Sequence, residues 1–425
     1  MLIQNYETLN TTPQRKIVLD LIEAALEAIE PKKVLAKTVT LENDVLKIQQ
    51  NTYDLKKYER IFLIGFGKGS AGICKLLEEK LGNKLVAGYD IDVVDEKFTK
   101  IHYTKGTHPL PSEENIAFTK TVLEQYGNKL TEKDLVLVVV CGGGSVLFEQ
   151  PYKINLETLI SVNKALLKCG ATISEMNIVR KHLSNTKGGG LAKMLYPAAV
   201  ATLIFSDVPG NDLFVIASGS TVKDPTTMID VQTVIDKYNF LSLVSLTPED
   251  FHETPKEDKY FEKVTNTMIL SNQICLTAMQ EKAKEFAVET FVYSDKLQGN
   301  AKEVGKQLLD AAKSGQILLA GGETTVKVSG SGQGGRNQSL VLASLQHLDD
   351  KTVIASFDSD GWDFYGFAGA IGDAETIKKS KELSLNQQEF LDNDDSYSFF
   401  EKVGDGLLTG KLESNVSDIM LVYKS

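Results

Sequence analysis

Apolar residues recur at helical spacing over residues 16–29, so the chain is predicted to open on a helix. From there to about Asp230, short apolar runs at 60–65, 85–89, 135–140 and 201–205 alternate with amphipathic stretches. Several of these runs lead through glycine into a helical pattern, the signature of a parallel, doubly wound sheet. Residues 247–263 are polar and acidic and carry Pro248 and Pro255, which marks an excursion or an inter-domain region. Beyond them the pattern predicts a helix over 266–285, a strand over 288–293, a helix over 300–314 and a buried strand over 317–320. Strands near 353–356 and 418–423 complete a second α/β unit, and the expected division is 1–240 and 241–425.

The strand at 317–320 is expected to end in Gly321-Gly322-Glu323. A β-rich segment then leads through a run of glycines and serines to Arg336 and Asn337. Taken alone, this is a hairpin with a mobile glycine-rich turn. Taken as chemistry, bare backbone amides can approach an anion and one arginine can clamp a carboxylate or phosphate in bidentate fashion.

The loop has companions. Gly67, Gly69 and Gly72 form a GxGxxG after a strand, with Asp90 and Asp92 on the strand that follows, formally a dinucleotide fingerprint. Lys68 inside that loop either reaches an anion on the helix N-terminus or is a solvated lysine on a tight turn. Gly142, Gly143, Gly144 and Ser145 follow a fully apolar strand, where open α/β sheets bind ligands. Arg180, Lys181, His182 and Lys187 gather beside Gly188 and Gly189, a focused anion site in an acidic protein, although His182 alone reads as structural. Asp207 ends a strand and Asp212 follows across a Pro-Gly turn; such carboxylates hold Mg²⁺, orient a hydroxyl, or cap the turn. Asp358, Asp360 and Asp363 form a second acidic turn that lacks the terminal glutamate of a calcium loop. No GxxxxGK[ST], HExxH or GxSxG pattern occurs.

Composition narrows the classes. A chain of 425 residues implies two or three domains, and 42% hydrophobic with 24% charged residues is globular usage. A net charge of −11 argues against non-specific nucleic-acid binding but leaves anionic small molecules open. No apolar run reaches membrane length and no signal pattern opens the chain, so no membrane association is expected. Cys74, Cys141, Cys169 and Cys275 are scattered, which reads as reduced thiols and a cytoplasmic protein.

In number and order, these segments resemble the class II glycerate kinases, whose C-terminal half is the MOFRL domain. The resemblance is carried by GFGKGSAG (65–72), THPLP (107–111), CGGGS (141–145), NIVRKHLSNTKGGGLA (177–192), SDVPGND (206–212), IASGSTVKDPTT (216–227), GGETTV (321–326) and GGRNQ (334–338). It implies an N-terminal Rossmann-like parallel α/β/α sandwich, a C-terminal α/β domain with a mixed sheet, and an active site in the cleft between them. It also implies ATP- and Mg²⁺-dependent phosphorylation of D-glycerate to 2-phosphoglycerate, or phosphorylation of a closely related small hydroxy acid; a monomer or homodimer is expected.

By the same resemblance Lys68 and Arg336 are catalytic, and Asp207 is expected to join them by assisting Mg²⁺ or the attacking hydroxyl. Gly142, Gly143, Gly144, Ser145, Lys187, Gly188, Gly189 and Glu323 bind nucleotide or phosphate. Arg180, Ser184, Asn337 and Asp360 bind substrate, and Asp207 and Asp212 bind metal. The chain departs from the family pattern at Cys141, Ser220, Phe364 and, within 409–418, at Lys411, Leu412 and Glu413, which leaves the acceptor open to another hydroxy acid or a polyol. Two other readings stand beside it: an NAD-dependent oxidoreductase resting on Gly67, Gly69, Gly72 and Asp90, and a non-catalytic ligand-binding relative.

Overall fold

The computed structural model describes residues 1–425. Two compact units emerge: residues 35–206 with 211–269, and residues 1–34 with 207–210 and 270–425. The expected division at 240/241 is a linear cut, whereas these units are discontinuous.

The first unit begins with a three-stranded antiparallel meander, β1 (Val39–Glu42), β2 (Val45–Ile48) and β3 (Asn51–Asp54). Its main sheet has six strands in the order β6-β5-β4-β7-β8-β9. These are β4 (Arg60–Phe66), β5 (Leu85–Asp92), β6 (Ile101–Lys105), β7 (Asp134–Val140), β8 (Ala199–Phe205) and β9 (Val264–Leu270). β4 to β8 are mutually parallel, and every residue of β7 is buried, as a central strand covered on both faces requires. The aliphatic side chains of β7 alone remove enough surface from water for roughly 10 kcal/mol of gross stabilisation. Register aligns Phe66 with Ile91 and Val140, so the loops after β4, β5 and β7 emerge at one carboxyl edge.

The helix expected over 266–285 is shorter at its front. Residues up to Leu270 form β9, and the helix is Asn272–Glu285. The threonines at 265 and 267 favour the pleated edge position over a helical turn.

The second unit holds a mixed six-stranded sheet in the order β10-β11-β15-β12-β13-β14. Its strands are β10 (Glu289–Asn300), β11 (Gln316–Thr325), β12 (Thr352–Asp358), β13 (Gly369–Gly372), β14 (Gly406–Leu407) and β15 (Asp418–Lys424). β10 and β11 are parallel and all other pairs are antiparallel. β11 does not end at Gly321-Gly322 but runs through them. A Cβ at Gly322 would lie 2.0 Å from the Leu297 carbonyl, so the glycine admits an irregular stretch of β10. Register places Asp418 opposite Gly322 on one side and Asp358 on the other.

The opening helix is Pro13–Ala28, with Thr12 Oγ1 accepting from Arg15 N at 3.1 Å and proline in the first turn. It packs on the Asn272–Glu285 helix, where Cys275 Sγ donates to the Ala25 carbonyl. Fully buried Arg15 makes a fork to Asp373 at 2.7 Å and meets Asp405 at 2.8 Å, with Thr376 and Lys379 completing the carboxylates' partners. No helix is long and apolar enough to cross a membrane.

Candidate active site

In the first unit, the turn after β4 places Gly69 and Ala71 amides against Asp92, which accepts both through Oδ2 at 2.9 and 3.1 Å. The fingerprint helix therefore already has an anion at its N-terminus, supplied by the protein. Asp90 lies inside, near Cys74, and burial pushes its carboxyl up to about 7. Neither aspartate is left for a dinucleotide's ribose.

Lys68 turns instead to the next loop. Its amide donates to the Gly142 carbonyl at 2.7 Å, and a Cβ on Gly143 would lie 3.4 Å from Lys68 Cε and 3.0 Å from His108 Nε2. The exposed Lys68 ammonium and the His108 ring thus converge over Gly143. Partial shielding of the ring, then the Lys68 charge, lower the His108 pKa below its ordinary value, so the imidazole is neutral at pH 7. The Gly142 and Gly143 amides make no hydrogen bond to the rest of the chain. Ser145 Oγ lies 2.9 Å from Ser218 Oγ, and Ala217 and Ser218 both hold left-handed backbone, φ 46° and 55°. Lys68, His108, the open amides and Ser145 form one cluster of donors. His108 carried no role in the sequence reading; its only signal was its place in THPLP.

The loop at 184–190 turns inward. Lys187 is buried and its ammonium pairs with buried Glu149, which also accepts from Ser184 Oγ. Burial lowers the Lys187 pKa against the pull of Glu149. The Gly188 and Gly189 amides donate to the Ser218 and Gly219 carbonyls, each at 2.9 Å. Arg180 Nε donates to Asn163 Oδ1, Lys181 pairs with Asp224, and His182 is buried with Nδ1 at the Ile178 carbonyl. The phosphate cradle expected from Lys187, Gly188 and Gly189 is closed by the protein's own groups, and it props the strained Ser218 turn. Asp212 is exposed, with Oδ1 accepting from Phe214 N at 2.8 Å.

In the second unit, Arg336 opens the Arg336–Ser344 helix and meets three carboxylates. Its Nε lies 2.8 Å from Asp418 Oδ2, its Nη2 3.1 Å from Asp358 and its Nη1 3.0 Å from exposed Glu323. Burial raises Asp418 to about 7 against the pull of Arg336, and burial followed by repulsion from Asp418 raises Asp358 well above the carboxylate range. These acids push the Arg336 pKa above its ordinary value although burial opposes them. Asp363 accepts the Asn337 and Gln338 amides and so fills the helix N-terminus. Asn337 is fully buried and ties Asp363 to Asp418 and Ser356, a bracing position rather than an exposed one. Asp360 accepts from Trp362 N at 2.8 Å. Asp207, half-buried, belongs to this same compact unit, and its carbonyl accepts from Ser417 Oγ.

The glycine-rich run before Arg336 is laced over residues 329–333 to the 393–395 segment. Ser329 and Gly330 amides donate to Asp394 Oδ2, Ser331 to Asn393 Oδ1, Gly332 to the Asn393 carbonyl and Gln333 to Asp395 Oδ1. A Cβ at Gly330 would lie 2.2 Å from the Asn393 carbonyl oxygen, so glycine is needed for this close lacing. Within 409–418, Lys411 lies over the Trp362 ring and Leu412 N donates to the Asp360 carbonyl at 2.7 Å. No group of three or more His, Cys, Asp or Glu is arranged to hold a metal by protein ligands alone.

Known proteins place this arrangement. The family described as a domain of unknown function, DUF4147, matches residues 17–247, and the MOFRL family matches residues 316–418. The protein named glycerate 2-kinase from Pyrococcus horikoshii is 33% identical, the match covering 96% of each chain. The crystal structure of glycerate kinase from Thermotoga maritima superposes with a TM-score of 0.85 at 32% identity, covering 96% of this chain and 99% of that one. A protein from Agrobacterium vitis named putative hydroxypyruvate reductase is 30% identical over 98% of this chain and 95% of its own.

Proposed function

Because the chain belongs to the glycerate kinase family built from DUF4147 and MOFRL regions, we propose that it transfers the γ-phosphoryl group of ATP to the 2-hydroxyl of D-glycerate, giving ADP and 2-phosphoglycerate. Family membership implies a nucleotide substrate and a small-molecule acceptor. The observation that carries the proposal is the near full-length similarity to proteins named glycerate 2-kinase, which takes in the segments bearing both Lys68 and Arg336.

Phosphoryl transfer needs positioning and positive charge more than a covalent catalyst. Lys68, with the Gly142 and Gly143 amides and Ser145, takes the substrate carboxylate: an ammonium and open amides suit one compact anion. Arg336 neutralises charge on the transferred phosphoryl group, with exposed Glu323 the partner it most easily exchanges. Asp207 orients the acceptor hydroxyl. Neutral His108 donates or accepts one hydrogen bond beside Lys68. Mg²⁺ keeps several waters and phosphate oxygens and takes one or two carboxylates, a demand that the exposed Asp212 carboxylate fits. When bound, the ion neutralises nucleotide phosphate charge.

A coupled assay of ADP release across small hydroxy acids and polyols, with and without Mg²⁺, tests the proposal. D-glycerate giving 2-phosphoglycerate at the highest kcat/KM is the expected result; ADP release only with another acceptor, or none at all, rejects it. The name of the Agrobacterium vitis relative favours a second reading, reduction of hydroxypyruvate by a nicotinamide cofactor. The occupation of the fingerprint helix by Asp92 speaks against that reading, and NADH oxidation with hydroxypyruvate is its direct test.

A further inference from the structure

Beside Arg336 the second unit contains a cavity of about 630 Å³, walled by Val326, Val328, Trp362 and Phe364 as well as by Arg336 itself. Its volume matches a drug-sized ligand and far exceeds a three-carbon acid. Its walls point the same way. Val328 and Phe364 are 70% and 78% exposed, large apolar surfaces left in water at a cavity rim.

Phe364 is also held in left-handed backbone, φ 66°, an unfavourable state for a bulky side chain. The turn around it is fixed by hydrogen bonds from Asp363 N to the Phe367 carbonyl and from Tyr365 N to the Asp363 carbonyl, both 2.8 Å. The fold therefore maintains a strained turn that presents an aromatic ring to solvent. Trp362 is steadied by the Lys411 ammonium 5.0 Å from its ring centroid.

The polar lining has a direction. Asp358, Asp363 and Asp394 line the cavity; Asp358 is paired with Arg336, and the other two are engaged by the Asn337 and Gln338 amides and by Lys302, Ser329 and Gly330. Acid-lined walls repel a phosphate chain and tolerate a neutral heterocycle; only the Arg336 end attracts an anion. Resting on the kinase reading above, we infer that this cavity seats the purine nucleoside portion of the nucleotide, its base stacked on Trp362 and Phe364 and its phosphates leaving at Arg336. Stacking on aromatic side chains is the general mode of base recognition, because every base has a π-face.

Trp362 is the one tryptophan of the chain, so its emission reports on the cavity alone. Titration of the full chain with adenosine and with ATP is expected to change that emission saturably, whereas D-glycerate leaves it unchanged. Phe364→Ala is expected to raise the KM for ATP roughly five- to a hundredfold, the span of one lost stacking contact, with the KM for D-glycerate within twofold. Phe364→Gly removes the ring and relieves the left-handed strain, so an unchanged or higher melting temperature with the same KM shift rules out unfolding as the cause.

An emission change with D-glycerate but not adenosine makes the cavity the acceptor's and overturns the inference. So does a KM for ATP that stays within twofold in both variants. The kinase reading fails separately: without phosphorylation of any acceptor, the adenosine titration still decides the cavity. With phosphorylation but no adenosine response, only the cavity inference falls.

Discussion

Arg336 Nε is shared by both oxygens of the Asp418 carboxylate, at 3.0 and 2.8 Å, and that carboxylate is fully buried. The guanidinium is therefore both the half-buried cation of the site and the counter-charge of an acid at the start of β15. Arg336→Ala is expected to lower kcat/KM a hundredfold or more, as loss of a charge-stabilising donor does. Its stability cost depends on pH. Burial already lifts Asp418 to about 7, and without Arg336 it rises further. A carboxyl raised on folding loses stability as pH climbs from its unfolded value, near 3.8, to its folded one. The variant thus goes on losing stability above pH 7, where the wild-type contribution of this group has levelled off. Urea unfolding at pH 6 and pH 8 checks this; an equal loss at both values refutes it.

Lys68→Ala gives a different pattern. The ammonium is exposed and bound to no carboxylate, so the melting temperature stays within about 1 °C, the scale of a surface substitution. Turnover with D-glycerate falls by two orders of magnitude or more, about the loss of one electrostatic donor. Near wild-type turnover in this variant removes Lys68 from the reaction.

For Lys187 the expectation runs the other way. Lys187→Met leaves Glu149 buried and uncompensated, a loss of about 3–5 kcal/mol. The double change Lys187→Met with Glu149→Leu is expected to recover most of it, because replacing both partners leaves no stranded charge. A rise in the KM for ATP without loss of stability would instead make Lys187 a nucleotide ligand.

Asp90 offers a titration away from Arg336. Its Oδ2 has no hydrogen-bond partner and burial lifts the carboxyl from 3.8 to about 7. Between those values the folded protein binds more protons than the unfolded chain, so stability falls as pH rises across this window and then levels. Asp90→Asn removes that slope. Relative to wild type, the variant gains up to about 4 kcal/mol between pH 4 and pH 8, three pKa units of linkage. Parallel stability curves for the two proteins contradict the assignment.

Periodic segments were legible because burial imposes the period: 135–140 reads as a strand and is β7, and 16–29 lies almost wholly within the Pro13–Ala28 helix. The glycine loops were legible as places where backbone comes close to something, but not as to what. Asp92 closes the loop at Gly69, Asn393 to Asp395 close the run before Arg336, and the Ser218 and Gly219 carbonyls close Gly188 and Gly189. Each partner lies far along the chain, and no local pattern announces it. Gly142 and Gly143 do keep the open amides that their sequence implied. Asn337 shows a related limit: an amide beside the arginine reads as a ligand group, but its donors brace buried Asp363 and Asp418 and its oxygen accepts from Ser356.

The bond between Arg15 and Asp405 joins residues 390 positions apart, in a compact unit made from both flanks of the chain. On a ribosome this is a waiting time. At about 5–20 residues per second, the partner of Arg15 appears roughly 20–80 s after it does. The stretch that builds β1 to β9 is finished earlier and can fold during synthesis. The Pro13–Ala28 helix meanwhile carries an apolar face and an unpaired arginine that nothing yet covers. That arginine thus waits unpaired during synthesis, and the unit bearing Arg336 cannot close before the sequence around Asp405 has emerged.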